Sequence, residues 1–466
     1  MARDPRFEIN IGTDTRSRDG AREVNGNSIR VAIVGDFSGR ARETRGVPRV
    51  WPVDRDNFSD VMAAAAPRLR IVLDRDLPPV DLSFSSLDDF HPDRVARLPL
   101  FETLRALKDA PSPANQPQVE SVSMDELTVA KSKAPAGSGS FLDMIIDGDP
   151  NTPIEVVRQA APKDELHDFI SRSVRKHAVT DRPAQAVEVS AKIDALIAAT
   201  MRVLLHHPDF QALESRWRGV DFLLRRLDTD GRLRLFLVDA ALEDADAAIA
   251  ATADRKWSAV LLNETLSVDD GDHLARLAEA GERIGAGVIV GGKPDFVGVA
   301  ELPGHDDVED WHVDMPDAWD RLRASSAADY LCVALPRLLL RLPYGKGGEE
   351  CESFKFEEVD PGLSRHEAFL WGSGSLVAAV VALGPMADGD SAATHGTIDS
   401  LPLHITTEDG LPASLPCAEV VFGEREVNHL LERGLTPLAS MRDGDMVRVP
   451  RIQSVARPPR RLHIPG

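Results

Sequence analysis

Cysteine is scarce: Cys332, Cys351 and Cys417 are the only three in 466 residues, and they stand far apart. That spacing argues against a disulfide framework and a Cys-x-x-Cys metal knuckle, and it suits a reducing compartment. Long apolar runs are lacking as well. None reaches the roughly 18 residues of a membrane span, and the opening MARDPRFEINIGTDTRSRDG has no continuous apolar segment of a secretory signal, so a cytoplasmic protein is expected. Positive charge is short, with 54 Lys and Arg against 75 Asp and Glu, a net charge of -21. Repulsion from phosphate backbones and anionic membranes follows, so no nucleic acid partner is expected. The one short basic cluster, RPPRR from Arg457 to Arg461, reads as part of a loose, solvated tail over 457–466.

Catalytic and cofactor motifs are also missing. In LPRLLLRLPYGKGGEECESFKFEE, Leu335 to Glu358, Lys346 follows Gly345 as in a phosphate loop, but the first glycine is absent and Gly347 stands where a hydroxyl is needed. VAIVGDFSGR looks like a strand entering a glycine turn without the G-x-G-x-x-G spacing of a dinucleotide site. No G-x-S-x-G elbow occurs. His206 and His207 are adjacent, so on a helix they diverge by about 100 degrees and do not form a same-face zinc pair. Glutamates 349, 350, 352, 357 and 358 suggest a hard cation, yet the EF-hand spacing is absent and a solvated or salt-bridged loop is the plainer account. No catalytic residue, cofactor or metal is therefore expected.

What is present is an ordinary globular composition, 43% apolar and 28% charged, in a length suited to about two to four domains. Residues 1–27 are polar and read as a flexible arm. Ile29, Val31 and Ile33 mark a strand; Phe58, Val61, Met62 and Ala65 mark one face of a helix that Pro67 closes. Pro92 opens a further helix through Val95, Leu98, Phe101, Leu104 and Leu107. From 110 to 139 the chain is rich in Pro, Ser, Ala and Gly, the composition of a linker. Beyond it, FLDMIIDG suggests a short apolar helix. Two long helices follow, through Ile193 to Leu204 and through Phe210 to Leu224, with a corner at Pro208. RLRLFLVDA, VIVGGKPD and AEVVFG read as strands, LARLAEAGERIGAG and EREVNHLLERG as helices ending at glycine. Trp311 and Trp319 read as packing anchors around Pro316. The alternation predicts a mixed α/β (α+β) fold, a small β/α domain at 28–109 joined to a larger mixed α/β domain at 140–456.

In ALPRLLLRL, Arg337 and Arg341 are four apart and share a face if the segment is helical, beside Leu338, Leu339 and Leu342. That surface suits a protein interface or, equally, an intradomain salt bridge.

LHHPDFQALESRWRGVDFLL, LPRLLLRLPYGKGGEECESFKFEE with HEAFLWGSGS, and LPLHITTEDG with AEVVFGEREVNHLLERGLTPL together resemble the large subunit of the contractile sheath of bacterial type VI secretion systems. VAIVGDFSGRA, VDRDNFSDVMAAAAPRL and LSFSSLDDFHPDRVARLP resemble the small subunit. The chain thus looks like a small-plus-large subunit fusion without the usual C-terminal interlocking segment. The resemblance implies a structural sheath protein, not an enzyme. Its implied partners are further copies of itself or conventional sheath subunits, an inner tube protein, and baseplate components or a disassembly ATPase. A sheath-derived adaptor or cap, and an enzyme on an α/β scaffold, are the alternative readings. Candidate interface residues are Arg337 and Arg341, with Leu142 and Ile145 in SFLDMII, which fits the family's short helix near the start of its large subunit.

Overall fold

The computed structural model describes residues 28–40, 47–73, 79–109, 183–297, 311, 316–359, 366, 368–408, 411–441 and 444–465. Strand β1 (Ile29–Gly35) and strand β2 (Arg49–Val53) come first, then helix α1 (Phe58–Ala65) and the antiparallel pair β3 (Arg68–Ile71) and β4 (Val80–Ser83). Helices α2 (Pro92–Val95) and α3 (Pro99–Asp109) follow. Two long helices, α4 (Pro183–Leu205) and α5 (Pro208–Arg226), lead into β5 (Leu233–Asp239). Next are α6 (Ala245–Ala251), β6 (Ala259–Leu266), α7 (Gly271–Ile284), β7 (Gly287–Gly292), α8 (Asp317–Ala324) and β8 (Leu331–Leu335). Strand β9 (Leu338–Arg341) pairs with β10 (Leu370–Gly372), which enters helix α9 (Gly374–Ala387). The last part holds β11 (Gly396–Ile398), the hairpin β12 (His404–Glu408) and β13 (Leu411–Leu415), α10 (Glu424–Glu432), and the short strands β14 (Thr436–Pro437), β15 (Ala439–Ser440) and β16 (Val447–Val449).

One seven-stranded sheet organises these elements in the order β14-β8-β7-β6-β1-β5-β2, parallel throughout except for β2 at the edge. A parallel sheet needs cover on both faces, and the strand sequences supply it. Alternate residues point to opposite sides. Ile29, Val31 and Ile33 of β1, Leu235 and Leu237 of β5, and Ile289 of β7 join one core with α1, α5 and α9. Ala32, Val34, Val260, Leu262, Val288 and Val290 join a second core with α6, α7 and α8. From Val31 onward β1 is therefore buried on both faces, because Ala32 and Val34 are small enough to lie under helices, while Arg30 stays exposed.

The position of β1 decides how the chain is divided. It lies between β5 and β6, with Ile29 to Gly35 in register with Leu233 to Asp239. Residues 28–109 consequently share their core with the rest: Phe84 and Phe90 pack on Phe210 of α5, and Phe37 and Phe58 pack edge-on to Trp217, whose Nε1 donates to the Phe37 carbonyl at 3.1 Å. Gly39, at φ +67, lets the turn after β1 approach the Arg68 carbonyl, where a Cβ would stand 2.3 Å away. The linker at 110–139 and the helix suggested around Leu142 and Ile145 lie outside the described residues.

Three expectations are corrected. The helix from Pro92 is split into α2 and α3, because Pro99 has no N–H to donate to the preceding turn. AEVVFG makes only an isolated bridge, Leu338 to Ala418, and no strand. The tail after Arg457 is docked: His463 N donates to Asp329 O, Arg460 pairs with Asp329 at 2.8 Å, and Leu462 is buried among the core side chains. Apolar Leu462 and Ile464 behind the arginines anchor it.

Candidate functional site

The stretch from Leu335 to Glu358 is a strand and a looped corner, not a helix. Leu338 and Leu339 are both buried, on opposite faces of β9, and a continuously apolar run of this length suits a buried strand as well as a helix. Arg337 and Arg341 therefore do not share a helical face.

Arg341 lies at the end of β9 in the interior. Its Nε donates to Glu214 Oε1 at 2.7 Å and its Nη1 to Glu358 Oε2 at 2.7 Å, while Nη2 reaches the second oxygen of each carboxylate at 3.2 and 3.0 Å. Both glutamates are buried, and the guanidinium lies over the Tyr344 ring at 4.1 Å. Arg218 of α5 adds a second cation, donating to Glu214 Oε1 at 2.7 Å and to the Tyr344 hydroxyl at 3.0 Å. Two arginines and two glutamates balance in charge, which is what burial of such groups requires. Burial alone would push Glu358 up, but Arg341 and His206, whose Nε2 is 3.6 Å away, outweigh it and hold the carboxyl down at about 2. Arg341 is itself raised well above its ordinary value, against burial, by Glu214 and Glu358.

The same corner grips the N-terminal part. Asp93, in the first turn of α2, accepts the backbone N–H of Glu352 at 2.9 Å and of Ser353 at 3.0 Å, and the Ser353 hydroxyl as well. Burial raises Asp93, yet these hydrogen bonds together keep its pKa below the usual carboxylate value. His91 stacks edge-on to Tyr344 at 4.9 Å. Glu357, counted among the acidic residues, accepts Lys346 N at 3.0 Å, so two of the five glutamates are committed to holding the loop.

Arg337 is part of a separate cluster. It donates to both oxygens of Glu419, at 2.6 and 3.1 Å, and His366 Nε2 lies 2.7 Å from Glu419 Oε1. Burial raises Glu419, and His366 and Arg337 overcome it to bring the pKa to about 2. A third pair, Arg216 with Glu264, ties α5 to the end of β6.

His207 caps α5 by accepting Asp209 N, and Trp319 is fully buried. Among the described residues no group of three or more His, Cys, Asp or Glu is arranged to hold a metal ion, and no helix is long and apolar enough to cross a membrane. Apart from Arg218 with Glu214 inside α5, the ion pairs of these clusters join segments distant in the sequence. The arrangement can transmit load between α5, β9 and the 344–358 loop.

The fold and these clusters define a structural α/β body whose charges are used to brace it. The sequence narrows this further. It matches the VipB model, described as EvpB-type tail sheath N-terminal domain, over residues 188–262 and 258–456, more than half of the chain. It also matches the VipA model of type VI secretion systems over residues 1–112. The type VI secretion system sheath protein TssC1 of Pseudomonas aeruginosa PAO1 is 23% identical over 329 residues, covering 62% of this chain and 66% of that protein. The chain belongs to the VipB tail sheath family, with a VipA-like segment fused ahead of it.

Proposed function

We propose that the protein is a structural subunit of a contractile sheath of the type VI secretion kind, working in the cytoplasm and performing no bond chemistry. It assembles through protein–protein contacts with sheath subunits around an inner tube, and baseplate components or a disassembly ATPase act on the assembled form. The observation that carries this reading is the presence of VipA-like and VipB-like segments on one chain, with β1 of the first zipped between β5 and β6 of the second. A unit fused at that depth moves as one block. Repacking between blocks, not within them, would then release the free energy of contraction.

Sedimentation and negative-stain imaging test it, on the full chain alone and then mixed with a conventional sheath pair and inner tube protein. Tubes, or co-sedimentation along sheaths, are expected. Particles seated only at sheath ends would make the protein a cap or adaptor. A monomer that ignores every sheath component would overturn the proposal.

A further inference from the structure

Strands β1 and β5 run in parallel register with Gly35 opposite Asp239, and the residue after Gly35 is a second aspartate, Asp36. Two carboxylates therefore meet at the carboxyl edge of the sheet. Asp239 is 7% exposed, and Asp36 is half-buried. Ser38 serves both: its N–H donates to Asp239 Oδ1 at 3.0 Å, and its hydroxyl lies 3.4 Å from Asp36 Oδ1 and within hydrogen-bonding reach of Asp239. The same hydroxyl accepts the Arg40 N–H at 3.2 Å. A hydroxyl has one proton to give, so it cannot satisfy two carboxylates at once.

A buried carboxylate is ordinarily paired with a cation. Among the described residues none forms an ion pair with Asp239. Arg49, opposite it across β2, is exposed and acts at a distance. Arg216 of α5 is committed to Glu264 of β6 and reaches the Asp36 carbonyl, not its carboxylate, at 3.5 Å. Arg40 turns its Nη2 to the Ala66 carbonyl at 3.5 Å. Burial first, and then Asp36, push the Asp239 carboxyl above its ordinary value, against the Ser38 hydrogen bonds and Arg49. The turn these groups hold is a junction: the Phe37 carbonyl accepts Trp217 Nε1, and the Ser38 carbonyl accepts Arg68 N at 3.0 Å. Residues 36–40 thus fasten β1 to α5 and to β3.

We propose that Asp36, Ser38 and Asp239 form a proton-operated latch on the turn after β1, which tightens its hold on α5 and β3 when the carboxylate pair takes up a proton. Uptake ends the repulsion between the two charges, and the O–H so formed supplies the donor that the site lacks. Because the folded value of Asp239 is the higher one, the added stability is present in acid and is lost as pH rises through that value. The inference is independent of the sheath reading.

Hydrogen exchange read by mass spectrometry on the full chain follows the turn directly. After correction for the intrinsic effect of pH, a peptide spanning residues 36–40 is expected to exchange about twofold or more slowly at about pH 5 than at about pH 8 in wild type. D239N, whose amide oxygen still accepts the Ser38 N–H, is expected to lose that difference. It should also melt about 1 °C or more above wild type at about pH 8, since a buried charge is gone, and the gap should close in acid. Should D239N not fold, D239S removes the same charge. Wild-type exchange that is unchanged or faster in acid, the same pH response in a variant without the charge, or a melting difference that does not move in favour of wild type as pH falls would each overturn the proposal.

Discussion

Arg341→Met removes the cation on which two buried carboxylates depend. Glu214 and Glu358 would then face each other with Arg218 as the remaining neutralising arginine in the cluster. Breaking a buried pair by deleting one partner destabilises by about 3–5 kcal/mol. The depressed carboxyl points the same way: an ordinary glutamate value of 4.5 against about 2 for Glu358 corresponds to roughly 3 kcal/mol of folded-state stability. Because the folded value is the lower one, that contribution is complete above pH 4.5 and fades as pH falls toward 2. Urea unfolding followed by circular dichroism at neutral pH should show the midpoint of Arg341→Met about 1 M or more below wild type, given slopes of about 1–3 kcal/mol per M. The triple variant E214Q/R341M/E358Q should regain much of the loss, since no buried charge of the pair is left. Acid should then destabilise Arg341→Met less steeply than wild type. A midpoint within about 0.3 M of wild type, or an unchanged acid profile, would refute the account of the network as a brace.

Protease should cut the Pro/Ser-rich stretch between Asp109 and Gly139 first, and the two pieces should co-elute on gel filtration because β1 is held between β5 and β6. Trp217→Ala, which empties a fully buried site packed by Phe37 and Phe58, should destabilise by about 3–5 kcal/mol in the same urea assay. Gly39→Ala should lower the melting temperature, since the new Cβ meets the Arg68 carbonyl at a positive φ. Thiol alkylation at neutral pH should be slow in the native protein and fast in urea, because burial, then Asp93 and other acidic neighbours, push Cys351 up to about 12, and burial pushes Cys332 and Cys417 up to about 11.

Much of the fold could be read from the residue pattern where one face of an element is apolar. Phe210, Leu213, Trp217, Val220 and Leu224 fall at helical spacings and are buried along α5. The pattern failed where both faces are buried. β9 is leucine at three consecutive positions, so no period distinguishes strand from helix, and the shared helical face expected for Arg337 and Arg341 does not form. Of the two readings offered for these arginines, the intradomain salt bridge matches the contacts of both. The partners, Glu214 and Glu419, are 127 and 82 residues away, beyond any local signal. Reversing both arginines to glutamate is therefore expected to unfold the protein, since position 341 would become a third carboxylate in a closed interior. Leu142 and Ile145 lie outside the described residues and remain proposed contacts.

The place of β1 also sets a timetable for synthesis. Ile29 emerges from the ribosome about two hundred residues before Leu233, its partner in β5, and at about 5–20 residues per second that interval lasts roughly 10–40 s. Throughout that time a strand rich in valine and isoleucine has neither of the neighbours that will flank it. A nascent chain built this way carries its leading strand as an open template for pairing with strangers until the middle of the molecule has been made.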